Sequence, residues 1–174
     1  MDALVKNPWD VNLLVSLGVL KFVDWKYKEA EVYFMQAIWE CPTDYSTWNK
    51  YGAAKANYWN TVEAIELYWT ALEIRPNLVR TWANLGMAYS NMGQYSEAIG
   101  FYLNALSLNP NADHIWDYIK SASFHMWSKE FMEMAKHWDI NLFWLHFNVI
   151  DPKNLPQPSY EKLFSHPLVN SRTI

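Results

Sequence analysis

Small and large apolar positions recur along the first two thirds of this chain with a period of 34 residues. Gly18, Gly52 and Gly86 are one period apart, as are Pro42, Pro76 and Pro110. Alanines return as Ala30, Ala64 and Ala98 and again as Ala37, Ala71 and Ala105, with a ring between them at Phe34, Tyr68 and Tyr102. Trp48, Trp82 and Trp116 share the register. The pattern predicts a helix pair per period. Glycine and the alanines lie where backbones approach closely, and the large residues interlock across the pair. Proline ends the second helix, because it has no N–H to donate and clashes with the preceding turn.

This places repeats at 11–44, 45–78 and 79–112 after a lead-in at 1–10. The spacing Trp-x2-Leu-Gly-x2-Tyr, then Ala-x3-aromatic, then Pro resembles the tetratricopeptide repeat. Trp82, Leu85, Gly86, Tyr89, Ala98, Tyr102, Ala105 and Pro110 match it in full. Helix pairs of this kind stack only on their neighbours, so the array requires a cap with a different outer face. Segment 113–149 reads as that cap. Trp116 and Ile119 keep the register, but Lys120 stands in the glycine position and Met132 in that of the first alanine. Three helices are expected there, over 113–127, 128–138 and 139–148, with Ser128 and Asp139 as N-caps. The last stretch, 150–174, contains four of the eight prolines. It reads as a Pro-rich, largely irregular tail with a short helix at 160–164. The expected fold is all-α: a superhelix of three helix pairs with a C-terminal helical capping bundle.

Composition narrows the function. The chain has 174 residues, 51% of them hydrophobic, enough for one domain with a real core. Eleven tryptophans among 17% aromatic residues need many packing surfaces between elements. A net charge of −4 lacks the basic footprint of a nucleic-acid or anionic-membrane binder. The single Cys41 offers neither a disulfide nor a structural zinc site, and favours a reducing compartment such as the cytoplasm. The apolar stretch from Leu13 to Val23 is interrupted by Ser16, Gly18 and Lys21, so it reads as neither signal peptide nor membrane span.

No enzyme constellation is found, and neither a metal site nor a cofactor is expected. His114, His125, His137, His146 and His166 are scattered; the first three read as solvated or singly hydrogen-bonded, and Cys41 as a packed thiol. The informative residues are polar ones on first helices, where such arrays present their groove. Asn84 and Asn91 are seven apart, about 700° of helical rotation, and so share a face, and Arg80 joins the same line. One repeat earlier, Asn49, Ala53 and Asn57 follow at spacings of four, with Lys50 beside them. An asparagine on a solvated helix face is ordinary. Four on such stripes with two cations suggest a peptide groove, because an amide offers a donor and an acceptor in one plane and a cation attracts carboxylate. Ala53 would leave space for a ligand side chain.

These residues resemble the C-terminal half of the peroxisomal import receptor for type-one targeting signals, the Ser-Lys-Leu class. The likeness rests on Leu17-Gly18-Val19-Leu20, on Thr47-Trp48-Asn49-Lys50-Tyr51-Gly52-Ala53 with Ala56-Asn57, and on Val79-Arg80 followed by Asn84-Leu85-Gly86 and Asn91. Ile115-Trp116 and Asn141-Leu142-Phe143 with Phe147 are similar to that family's C-terminal bundle. The resemblance implies capture of the C-terminal targeting peptides of cargo proteins bound for peroxisomes or glycosomes. Asn49, Asn57, Asn84 and Asn91 would hold backbone and terminus, Lys50 and Arg80 would attract the carboxylate, and Ala53 would line a leucine pocket. It further implies a cytoplasmic protein that cycles to docking proteins at the peroxisomal membrane. Two features depart from the family: the repeats that precede this half and complete the groove do not precede it here, and Trp25 and Trp59 replace the usual turn glycines. The alternatives are a repeat co-chaperone adaptor, although Val15 and Val19 stand where its clamp needs polar groups, or a scaffold within a larger complex.

Overall fold

The computed structural model describes residues 9–126, 129–137, 139–147, 150 and 166–170, and the regular structure among them is all helical. Three helix pairs come first: α1 (Val11–Val23) with α2 (Tyr27–Glu40), α3 (Tyr45–Asn57) with α4 (Thr61–Ile74), and α5 (Val79–Asn91) with α6 (Tyr95–Leu108). A helical cap follows, α7 (Asp113–His125), α8 (Lys129–Lys136) and α9 (Ile140–Trp144), and then the short α10 (Pro167–Asn170).

The periodic residues account for each pair. Ala30, Ala64, Ala98, Ala37, Ala71 and Ala105 are fully buried. A Cβ added to Gly18 would lie 2.6 Å from the Phe34 ring, and one added to Gly52 would lie 2.6 Å from the Tyr68 ring. Each glycine is therefore the space in which the ring of its own pair sits. Second helices stop at Glu40, Ile74 and Leu108. The residues that follow, Cys41, Arg75 and Asn109, have φ of −139°, −142° and −144°, the extended backbone that a following proline imposes. The first helices of the first two pairs start on side-chain caps: Asp10 accepts from the Leu13 N–H at 3.0 Å, and Asp44 from the Ser46 N–H at 3.0 Å, whereas α5 starts after Leu78 without one.

The turns within pairs are Schellman motifs, in which the residue after the C-cap must be left-handed. Lys26, Asn60 and Gln94 N–H groups donate back to the Lys21, Lys55 and Tyr89 carbonyls at 2.9, 3.0 and 2.9 Å. The left-handed position holds Trp25 (φ 62°), Trp59 (φ 66°) and Gly93 (φ 77°). A side chain there costs about 1–2 kcal/mol, so the two tryptophan turns are strained and the glycine turn is not.

The chain forms two units. In the first, reaching Arg75 and including α10, α2 packs on α3, with the Lys55 ammonium 3.0 Å from Glu31 and 2.8 Å from Glu63. Trp48 Nε1 donates to the Pro42 carbonyl at 2.7 Å, a bond that ties the start of α3 to the chain leaving α2. Pro167 occupies the first position of α10, where a missing N–H costs nothing. His166 meets Trp48 edge-on at 4.9 Å. This helix lies in the stretch expected to be irregular, whereas the expected helix at 160–164 falls outside the described residues.

In the second unit, from Pro76 on, Trp82 Nε1 repeats the bond, to the Pro76 carbonyl at 2.8 Å. The cap helices are shorter than expected: α7 ends at His125 and α8 at Lys136. Asp139 does cap α9, accepting from the Asn141 N–H at 2.9 Å, while Ser128 falls outside the described residues. Phe143 is fully buried between Trp116, at 5.9 Å, and Phe131, at 6.3 Å, so rings close the cap.

Candidate functional site

Two sequence-predicted site residues line one cleft in the second unit. Between α5 and α7 lies an open cavity of about 400 Å³. Val79, Arg80, Ala83, Asn84 and Met87 line it from α5, and His114, Ile115 and Tyr118 from α7. Residues 80, 84 and 87 project along one stripe of α5 because they are four and three apart. Arg80 and His114 are exposed at the mouth, and Asn84 and Tyr118 are half-buried. His114 stands edge-on to Tyr118 at 5.9 Å, and Tyr118 in turn packs on Tyr102 at 5.5 Å. Burial pushes the hydroxyl of Tyr102, which lies behind Tyr118 and not in the lining, up to about 12, against the opposing effect of its Ser90 hydrogen bond.

The cleft therefore combines a guanidinium, an amide, an imidazole and a phenol over an apolar floor of Ala83 and Ile115. Arginine holds carboxylates through paired N–H donors, and an amide can bond a peptide group in both directions. This donor set suits an extended peptide carrying a carboxylate.

Asn91 is the last residue of α5 and is exposed, outside the cleft lining. Three helical turns separate it from Arg80, and the α5 lining ends at Met87. The α3 residues belong to the first unit. Asn49, Lys50 and Ala53 are half-buried and Asn57 is exposed. Lys50 Nζ donates to the Ser46 hydroxyl at 2.5 Å. Asn57 Nδ2 donates to the Ala53 carbonyl at 2.8 Å, so that amide serves the C-terminal end of its own helix.

The sequence reads His114 as a solvated histidine and does not single out Tyr118, yet a signal existed: they stand one period after Arg80 and Asn84. Segment 113–149 reads as cap because its glycine and alanine positions are lost, which obscures that its first helix still presents a groove face. His125, by contrast, stacks on Tyr95 at 5.0 Å. Among the described residues no group of three or more His, Cys, Asp or Glu is placed to hold a metal ion. Cys41 is half-buried with its sulfur 3.7 Å from the Thr43 hydroxyl. No described helix is long and apolar enough to cross a membrane.

Comparison with known proteins gives the fold a family context. The tetratricopeptide repeat family matches residues 79–112. No curated protein matches. Two solved structures of MamA are similar. One has 18% identity and a TM-score of 0.71, covering 82% of this chain and 86% of that one. The other has 17% identity and a TM-score of 0.70, covering 85% and 83%. A tetratricopeptide repeat is thus present at 79–112, and the chain has the all-helical tetratricopeptide-type fold, helix pairs followed by a helical cap.

Proposed function

We propose that this protein is a tetratricopeptide adaptor, a binding module and not an enzyme, that holds an extended carboxylate-bearing segment of a partner in the α5/α7 cleft. The observation that carries this reading is the convergence of Arg80, Asn84, His114 and Tyr118 on one cavity of about 400 Å³. Such a cavity accommodates a few side chains of a peptide, and its charged group is a cation. The repeat match at 79–112 supports peptide-partner binding of this general kind.

A narrower reading is a receptor for C-terminal Ser-Lys-Leu signals, cycling between the cytoplasm and the peroxisomal membrane. It is supported by the Trp48-Asn49-Lys50 and Arg80 to Asn84 sequences and by the place of Arg80 and Asn84 in the cleft. Fluorescence anisotropy separates the two. The chain is titrated with a labelled peptide ending in Ser-Lys-Leu, with its C-terminal amide, and with a peptide ending in acidic residues. Binding of the free Ser-Lys-Leu acid alone selects the receptor. Binding of both free acids selects the broader adaptor, and binding of neither refutes the cleft as a carboxylate site.

A further inference from the structure

The turns joining α1 to α2 and α3 to α4 have a feature that the cleft does not use. Where the third turn has Gly93, these two have tryptophans in the left-handed region. Neither ring compensates through burial, since Trp25 is 79% and Trp59 is 95% exposed. Each turn is instead bridged by an ion pair, Lys21 to Glu29 at 2.5 Å across Trp25 and Lys55 to Glu63 at 2.8 Å across Trp59. One period on from Lys55 stands Tyr89, so the glycine turn lacks the lysine. The clamp goes with the tryptophans. Strain at a bulky residue that contributes nothing to the core points to a use outside it.

The two tryptophans share one edge of the first unit. The Lys28 ammonium, three residues after Trp25, lies 4.9 Å from the ring centre of Tyr58, the neighbour of Trp59. Lys55 also crosses from α3 to Glu31 of α2 at 3.0 Å. Val23, two residues before Trp25, and Val62, three after Trp59, are also 65% and 61% exposed. The rings project from a ridge instead of lining a groove. Charge in these segments is balanced, with Lys21, Lys26, Lys28 and Lys55 against Asp24, Glu29, Glu31 and Glu63.

We infer that this edge is a peripheral membrane-contact ridge, in which Trp25 and Trp59 enter the boundary between headgroups and acyl chains of a lipid bilayer. Tryptophan favours that boundary because its body is apolar and its N–H remains hydrogen-bonded. The exposed Lys26, next to Trp25, can extend to the headgroups while its stem stays in apolar surroundings. Two fully projecting rings on one edge can enter a planar surface together, whereas a protein partner would need a separate pocket for each. Balanced charge means that the contact depends on the rings, so neutral lipid suffices. This inference does not rest on the cleft.

The test uses the full chain with phosphatidylcholine vesicles, read by co-sedimentation and by quenching of tryptophan emission with brominated lipid. Wild type is expected to sediment with the vesicles, with little change when salt is raised or phosphatidylserine is added. The Trp25→Gly/Trp59→Gly double variant should lose vesicle binding while its melting temperature stays level or rises, because glycine relieves both turns. That combination separates lost contact from lost fold. No sedimentation of wild type, sedimentation only with phosphatidylserine and abolished by salt, or undiminished binding by the double variant would each overturn the ridge. A lower melting temperature in the variant would overturn the claim of strain.

Discussion

Gly86 lies so close beneath the ring of Tyr102 that a Cβ at that position would overlap the ring carbons. Gly86→Ala should therefore destabilise the protein despite alanine's better helix propensity. The propensity gain is about 1 kcal/mol, and the overpacking loss exceeds it, for a net cost of about 1–2 kcal/mol. Urea denaturation measures this directly, and a variant as stable as wild type would show that the ring can move aside.

The indole of Trp48 has a second task besides filling the core. Trp48→Phe keeps most of the buried volume but removes the donor to the buried Pro42 carbonyl. The expected loss is about 1–3 kcal/mol, the cost of leaving a buried acceptor without its partner. Calorimetry that finds Trp48→Phe neutral would remove the bond from the account of how successive pairs are joined.

Lys55 links three helices, and its pH response has a definite sign. Burial alone would lower its pKa, but the hydrogen bonds to Glu63 and Glu31 hold it above the usual 10.5. Its contribution is present below pH 10.5 and declines as the pH rises through the higher folded value. Glu63, held below 4.5 by the Lys55 hydrogen bond, contributes above pH 4.5 and loses that contribution as the pH falls through its folded value. Glu63 is half exposed, so after solvent screening Glu63→Gln should cost about 0.5 kcal/mol at neutral pH. Stability curves of wild type and variant should converge in acid. Curves that stay parallel below pH 4 would contradict the pairing.

Removing the cleft's cation should affect binding and not folding. Arg80 is exposed, so Arg80→Ala should leave the melting temperature within a degree or so, the range of ordinary surface substitutions. Affinity for a free-acid peptide should fall by about 1.5–3 kcal/mol, the worth of a hydrogen bond to a charged group. Affinity for the amidated peptide should hardly change. Equal losses for acid and amide would mean that Arg80 does not meet the carboxylate.

How much of this was legible in the sequence depended on whether a residue's role repeats. Gly18, Gly52 and Gly86 state the helix-pair contact three times over, and the prolines state where second helices end, so the fold could be read from spacing alone. The site is written fewer times. Arg80 and Asn84 emerged because α5 follows the repeat pattern in full, while His114 and Tyr118 sit in a helix whose pattern has decayed. Asn57 has a local partner that its residue type does not reveal: its amide donates to the Ala53 carbonyl one turn back on its own helix. Helix α10 was missed because prolines suggest irregular chain, and Pro167 is one of the positions where proline starts a helix.

The bonds from Trp48 to Pro42 and from Trp82 to Pro76 each span six residues. A loop of that length closes in about 10–100 ns, far faster than whole pairs can dock. Each joint can thus form during the earliest search, before any distant contact exists. Within the first unit, the Trp48 bond then fixes the start of α3 against the chain leaving α2 before the two helix pairs dock.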